Sequence, residues 1–212
     1  ARESFEQGLL KLLEGNWKRA EIELVRRAAD HHARHLNYLG AARAAQRMGA
    51  GDRRDHYLRL ATQSAPELEF ATLLTQAELQ RERGEHTLMR DTALKLRQRD
   101  PKHPYAVELL AESYAASGEW LALRDLLADT ARLDALAPSR YRELMMQALQ
   151  ALMEQAMAAA RLDQLKAIWE AAGERFRAEP ELRRLYVRGL ARLNADAEAL
   201  ALIAGTLKKE WD

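Results

Sequence analysis

The chain has 212 residues, no cysteine, and 33 basic against 32 acidic side chains for a formal net charge of +1. The missing cysteine excludes disulfides, thiolate metal sites and cysteine nucleophiles, and so even a charge leaves no electrostatic footprint for nucleic acid. Only 10 Gly and 5 Pro interrupt segments filled with Ala, Leu, Arg and Glu, side chains that lose little rotamer freedom in a helix, so helices are expected throughout.

Helical runs in the first two thirds of the chain stop at a fixed interval. "LLEGNW" stops at Gly15, "QRMGAG" at Gly49, "RERGEH" at Gly84 and "AASGEW" at Gly118, at spacings of 34, 35 and 34. Pro66, Pro101 and Pro138 follow at 35 and 37. A period near 34 residues with one helix–turn–helix per unit is the signature of tetratricopeptide repeats. Each glycine is then expected to end a first helix in the left-handed conformation, and each proline to mark a repeat boundary, where it ends or restarts a helix. Counting every unit so that its glycine is place 15, place 8 must be small because the paired helices touch there; it holds Gly8, Ala42, Ala77 and Ala111. Place 20 is less uniform, with Ala20 followed by Arg54, Met89 and Leu123.

Beyond residue 138 the rhythm loosens. "SRYRELMMQALQALMEQAMAAARLDQLKAIWEAAGERFRAEP" reads as a longer helix pair with a turn near Arg161–Asp163 that lacks Gly, ending at Pro180. A last pair breaks near Asn194–Asp196, where Asn is the second choice for a left-handed cap. The expected fold is an all-α, right-handed superhelical solenoid of about six tetratricopeptide-like helix pairs, about twelve helices, without strands. Residues 1–137 form four regular repeats. Residues 138–212 form two less regular pairs of the same solenoid, expected to be truncated at the C-terminus because no polar capping helix closes them. The start at Ala1 likewise reads as a missing native N-terminus, and no stretch of about 18 apolar residues reads as a membrane span.

The concave face of such an array is lined by first helices, at places 2, 5, 9, 12 and 13. These are Leu36, Leu39, Arg43, Gln46 and Arg47 in the second unit, Ala71, Leu74, Glu78, Arg81 and Glu82 in the third, and Tyr105, Glu108, Glu112, Ala115 and Ala116 in the fourth. Singly, each polar member reads as a solvated side chain. As a set, Arg43, Gln46, Arg47, Glu78, Arg81, Glu82, Tyr105, Glu108 and Glu112 are the candidate partner groove. Its polarity runs from Arg to Glu: residues 26–59 carry eight Arg against three Asp, and residues 104–136 carry six acids against two Arg. A dipolar protein segment suits that gradient better than a uniformly acidic tail.

His31, His32 and His35 cluster in "DHHARHL". Metal or haem ligation by His31 and His35 would need one helical face, but the segment falls at a repeat boundary and lacks completing ligands. Structural or solvated histidine is expected there, with His103 at a boundary and His86 starting a second helix. Trp17 and Trp120, two residues after a turn Gly, are expected to pack inside, as are Trp169 and the run Met145, Met146, Met153 and Met157. No Ser/His/Asp order, metalloprotease helix or phosphate loop emerges, and "GAGDRR" (Gly49–Arg54) lacks the third Gly and the preceding strand of a dinucleotide fingerprint. No catalytic residues, metal or cofactor are therefore expected.

The phrases "LNYLGAARAAQRMG", "RRDHYLRLATQSAP", "LLTQAELQRERGE", "DPKHPYAVELLAESYAASGEWLALRDLL" and "ALIAGTLKKEWD" resemble the HemY family of proteobacteria along nearly the whole chain. In that family two N-terminal membrane helices precede a tetratricopeptide domain, and the gene lies beside genes of tetrapyrrole synthesis. The resemblance implies an inner-membrane protein whose repeat domain faces the cytoplasm, anchored by helices absent from this chain. The repeat rhythm supports a non-enzymatic scaffold for protein partners, and the resemblance implies that these serve late haem biosynthesis, so its enzymes are the expected partners. An unrelated FAD-dependent protoporphyrinogen oxidase that shares the name is not what these residues resemble. The alternative is a porphyrin or haem carrier using the Arg/His-rich segment 26–59, with Arg26, Arg27, Arg34, Arg43, Arg53 and Arg54 pairing propionates and His31 or His35 touching the ring or iron. A carrier also needs an apolar slot, and the bulky aromatics of that segment reduce to Tyr38 and Tyr57.

Overall fold

The computed structural model describes residues 1–133 and 135–211, with side chains described through residue 205. Among the described residues the chain is all α, with thirteen α-helices, two short 3-10 turns and no strand. The helices are α1 (Arg2–Leu13), α2 (Trp17–Arg26), α3 (Arg34–Arg47), α4 (Gly51–Ser64), α5 (Glu69–Glu82), α6 (His86–Arg99), α7 (Pro104–Ser117), α8 (Trp120–Thr130), α9 (Pro138–Ala158), α10 (Leu162–Ala171), α11 (Gly173–Arg177), α12 (Pro180–Arg192) and α13 (Asp196–Trp211).

One turn geometry recurs six times. Gly15, Gly49, Gly84 and Gly118 have φ between +69° and +73°, and Ala160 and Asn194 take the same left-handed conformation at +53° and +60°. At each, the following N–H reaches back five residues and the left-handed residue's own N–H reaches back three. Asn16 N donates to Lys11 O (2.9 Å) and Gly15 N to Leu12 O (3.1 Å); at the fifth turn Arg161 N donates to Ala156 O (2.9 Å) and Ala160 N to Met157 O (3.2 Å). This double bond pattern satisfies carbonyls that the helix end would leave orphaned. The next helix starts two residues later every time, at Trp17, Gly51, His86, Trp120, Leu162 and Asp196. Only the step from Gly118 to Ala160, 42 residues, breaks the period; from Ala160 to Asn194 it is 34 again. The extra length lies in α9, which has 21 residues where α3, α5 and α7 have 14. The thirteenth helix, one more than expected, is the short α11, set off from α10 by Gly173 at φ +73°.

Five residues after each left-handed residue comes a position buried in all six pairs: Ala20, Arg54, Met89, Leu123, Leu165 and Ala199. The residue type varies while the burial does not. Prolines start helices as expected, with Pro138 and Pro180 at the first positions of α9 and α12, where the missing N–H costs nothing.

The contacts divide the chain into two compact units, Ala1–Leu110 and Ala111–Asp212. That division falls inside α7, whereas the change of sequence rhythm falls at residue 138. In the first unit α1 packs on α2, α2 on α3, α3 on α4 and α5 on α6, and the first helices α1, α3 and α5 touch in succession. The core is small-sided: Ala20, Ala41, Ala42, Ala44, Ala45, Ala61 and Ala77 are fully buried among Leu24, Leu79 and Leu96. Gly8 is required by this closeness, since a Cβ there would lie 2.6 Å from Leu24 Cγ and 3.1 Å from Leu24 N. In the second unit α9 contacts α8, α10 and α12. Its core holds Leu123, Leu144, Leu149, Met153, Leu165 and Leu182, and the four methionines of α9 are all buried. Trp169 lies stacked on Tyr186, with ring centroids 4.3 Å apart and planes 6° apart.

Candidate partner-binding site

Places 9 and 13 of a first helix are one turn apart and share a face. In the first unit they carry three consecutive ladders: Leu9 and Leu13 on α1, Arg43 and Arg47 on α3, Glu78 and Glu82 on α5. The charged ladders pair across the helices, Arg43 Nη2 with Glu78 Oε2 at 2.8 Å and Arg47 Nη2 with Glu82 Oε1 at 3.6 Å. The apolar ladder has no such complement. Leu9 is 39% and Leu13 86% exposed. Between the leucine and arginine ladders lies a depression of about 450 Å³ lined by Leu9, Leu12, Leu13, Trp17, Arg43, Arg47, Leu79 and Glu82. The Arg47 guanidinium lies 5.8 Å from the centre of the Trp17 ring, within reach of a cation–π attraction. Leu79, nearly fully buried, belongs to the core under this surface with Ala42 and Leu58.

Most of the sequence-derived groove residues lie in this unit. Arg43, Arg47, Arg81 and Glu82 are exposed, and Glu78, Tyr105 and Glu108 are partly so. Burial pushes the Tyr105 hydroxyl above its ordinary pKa; the Glu78 charge adds to this, while a hydrogen bond with Arg81 opposes it. Glu112, partly buried, belongs to the second unit. Gln46 must be corrected. It is 7% exposed and serves as an internal brace, its Nε2 donating to Leu79 O (2.7 Å) and its Oε1 accepting from Arg54 Nη1 (3.1 Å). It presents nothing to a partner.

Arg54 is equally displaced from its expected role. Only 3% exposed, it ties α4 to α3 through Gln46 and to the α5–α6 turn through Glu85 (3.0 Å), and also holds Asp55 (2.7 Å). Burial works against its charge, but hydrogen bonds and attraction from Asp55 and Glu85 together outweigh it and leave the guanidinium above its usual pKa. Of the other arginines offered for propionates, Arg53 pairs with Glu21 (2.9 Å), Arg26 with Glu23 (3.8 Å) and Arg27 with Asp30 (3.5 Å). Tyr57 donates to the same Glu21 (2.8 Å), and burial with that bond pushes its hydroxyl up to about 12.

His31 is a structural residue. It is 4% exposed, its Nδ1 lies 2.7 Å from Asn37 Oδ1, and Asn37 Nδ2 donates to Leu24 O (2.8 Å). Since the Asn37 amide nitrogen is engaged as donor, Nδ1–H of His31 is the donor to Oδ1. Its ring packs on Phe5 at 4.8 Å. His31 precedes α3 while His35 lies within it, so the two do not share a helical face. No group of three or more His, Asp or Glu among the described residues is placed to hold a metal ion.

The family model described as the HemY protein N-terminus matches residues 1–49, the stretch that carries both the leucine and the arginine ladder. Protein HemY of Escherichia coli (strain K12) is 30% identical over 213 residues, covering all of this chain and 53% of that protein. Protein HemY of Shigella flexneri matches to the same extent. The chain is thus similar to the HemY family along its whole length. It spans about half the length of these curated relatives. A crystal structure of a tetratricopeptide repeat protein from Parabacteroides merdae ATCC 43184 superposes with a TM-score of 0.56 over 98% of this chain and 78% of that one, at 14% identity, a likeness of fold alone. No helix among the described residues is long and apolar enough to cross a membrane.

The residues of this surface that sequence reasoning missed are Leu9, Leu12, Leu13 and Trp17. Extending places 9 and 13 to the first unit would have marked the two exposed leucines. Trp17 was expected inside; it is only partly buried and forms a wall of the depression, so that expectation is corrected. Trp169 is buried as expected.

Proposed function

We propose that the chain is a non-enzymatic repeat scaffold that binds proteins of late haem (tetrapyrrole) biosynthesis, using the surface formed by α1, α3 and α5. The observation that carries this is the apolar depression of about 450 Å³ beside paired charged ladders, with Leu13 86% exposed on its rim. An open apolar floor with a polar rim is the anatomy of a protein-docking surface. The pathway comes from the HemY family, whose members are associated with tetrapyrrole synthesis. On the family's pattern the domain is held at the inner membrane, facing the cytoplasm, by helices outside this chain. Gathering successive enzymes there raises their effective concentration without chemistry by the scaffold itself.

Capture from native bacterial membranes by the anchored full-length protein tests this reading. Haem-biosynthesis enzymes are expected among the captured proteins, and Arg43→Glu with Arg47→Glu is expected to reduce their capture. Both side chains are exposed, so the helical circular dichroism stays unchanged. Capture that survives the reversal places recognition elsewhere on the chain. Capture without any enzyme of the pathway overturns the assignment.

A further inference from the structure

We infer that the depression between α1 and α3 receives one amphipathic α-helix of a partner protein, with an apolar stripe seated on Leu9, Leu13 and Trp17 and carboxylates along the edge that faces Arg43 and Arg47. This rests on the protein-binding reading above and names the chemistry of the partner. The apolar contacts on α1 recur at i and i+4, one helical turn or about 6 Å apart. A partner helix offers side chains at that same spacing, which is how an apolar helix face enters a groove. The bordering cations, Arg43 and Arg47, repeat at the same interval on α3. One edge of the incoming helix therefore meets two guanidinia in step with its own turns.

The arginines are engaged with Glu78 and Glu82, but all four side chains are between 35% and 55% exposed. Pairs so open to water are weak, so a partner carboxylate can replace Glu78 or Glu82 while the displaced acid returns to solvent. A cationic edge would meet the guanidinia directly and be repelled. The charge ladder thus sets the orientation of the helix, and the leucine ladder and Trp17 supply the contact area.

The probe is a fluorescein-labelled, helix-forming synthetic peptide with leucines at i, i+3, i+4 and i+7 and glutamates along one edge of that stripe. Its anisotropy is followed against the chain. Two control peptides replace the glutamates by lysine or the leucines by serine. The glutamate peptide is expected to bind, the lysine peptide about tenfold more weakly, and the serine peptide not at all. Leu9→Ser with Leu13→Ser removes exposed apolar surface without opening the core and is expected to abolish binding. Arg43→Glu with Arg47→Glu is expected to invert the preference between glutamate and lysine. Equal affinity for those two peptides, undiminished binding after the leucine substitutions, or no binding by any peptide overturns the proposal. So does binding of phosphatidylcholine vesicles that depends on Leu9 and Leu13 without a peptide response, which would make the patch a lipid contact. Membrane capture separates the two levels: capture that survives Leu9→Ser with Leu13→Ser sinks helix docking alone, whereas a wild-type protein that captures no protein sinks the scaffold.

Discussion

At the residue scale, Arg54 occupies a position that five other helix pairs fill with Ala, Met or Leu. It is tolerated because Gln46, Asp55 and Glu85 converge on it. Arg54→Met restores the local custom but leaves Gln46 Oε1 buried without its donor, a loss of about 1–3 kcal/mol. The expected outcome is a lower urea midpoint with an unchanged denaturant slope, because the surface exposed on unfolding stays the same. A midpoint equal to that of the unaltered chain would mean that the apolar slot alone decides stability there. The sequence marked Arg54 as a departure from the repeat, yet its charge suggested a surface role, since arginine is rarely buried without partners. Asp55 is adjacent, but the other two partners lie 8 and 31 residues away, and no local pattern announces them. Gln46 was misplaced for the same reason.

At the element scale, four of the six turns were legible because glycine occupies the left-handed position. The fifth was located only roughly, because Ala is the best helix former and carries no sign of a stop at Ala160. The 21-residue α9 then shifted the phase, so a rhythm that resumes looked lost. Ala160 bears a conformational cost at φ +53° that glycine would not bear, roughly 1–2 kcal/mol before the extra freedom glycine gains in the unfolded chain is subtracted. Ala160→Gly is therefore expected to raise stability by about 0.5–1 kcal/mol, seen as a higher thermal midpoint. The side chain is exposed, so no packing is lost. Asn194→Gly should gain less, because Asn tolerates that conformation better than Ala.

At the scale of the whole molecule, the helix-pair architecture was readable because each unit repeats the same punctuation, so agreement among glycines, small residues and prolines outweighed any single ambiguous site. The candidate docking surface was only half readable. Its charged ladders follow the repeat register, while its leucines carry no charge to mark them and are singled out only by their exposure. The carrier alternative loses two of its ligands by the same comparison, His31 sequestered against Asn37 and Arg54 buried and held by its partners, while Arg26, Arg27 and Arg53 hold only pairs in which the arginine itself is exposed. Titration of the chain with haem or protoporphyrin is expected to give no stoichiometric Soret shift that depends on His31 and His35. A stoichiometric shift abolished by His31→Ala with His35→Ala would restore the carrier to first place.

The face-to-face stack of Trp169 on Tyr186 has an optical consequence. Rings fixed in a buried, nearly coplanar pair couple their electronic transitions, and such near-ultraviolet dichroism vanishes when side-chain packing loosens even if helices persist. That signal belongs to α10 and α12. Trp17, in the other unit and only partly covered, would shift its emission if a partner shielded the depression from water. The chain thus carries a gauge of packing in one unit, and, in a variant whose other tryptophans are replaced by Phe, Trp17 would report any occupancy of the depression in the other.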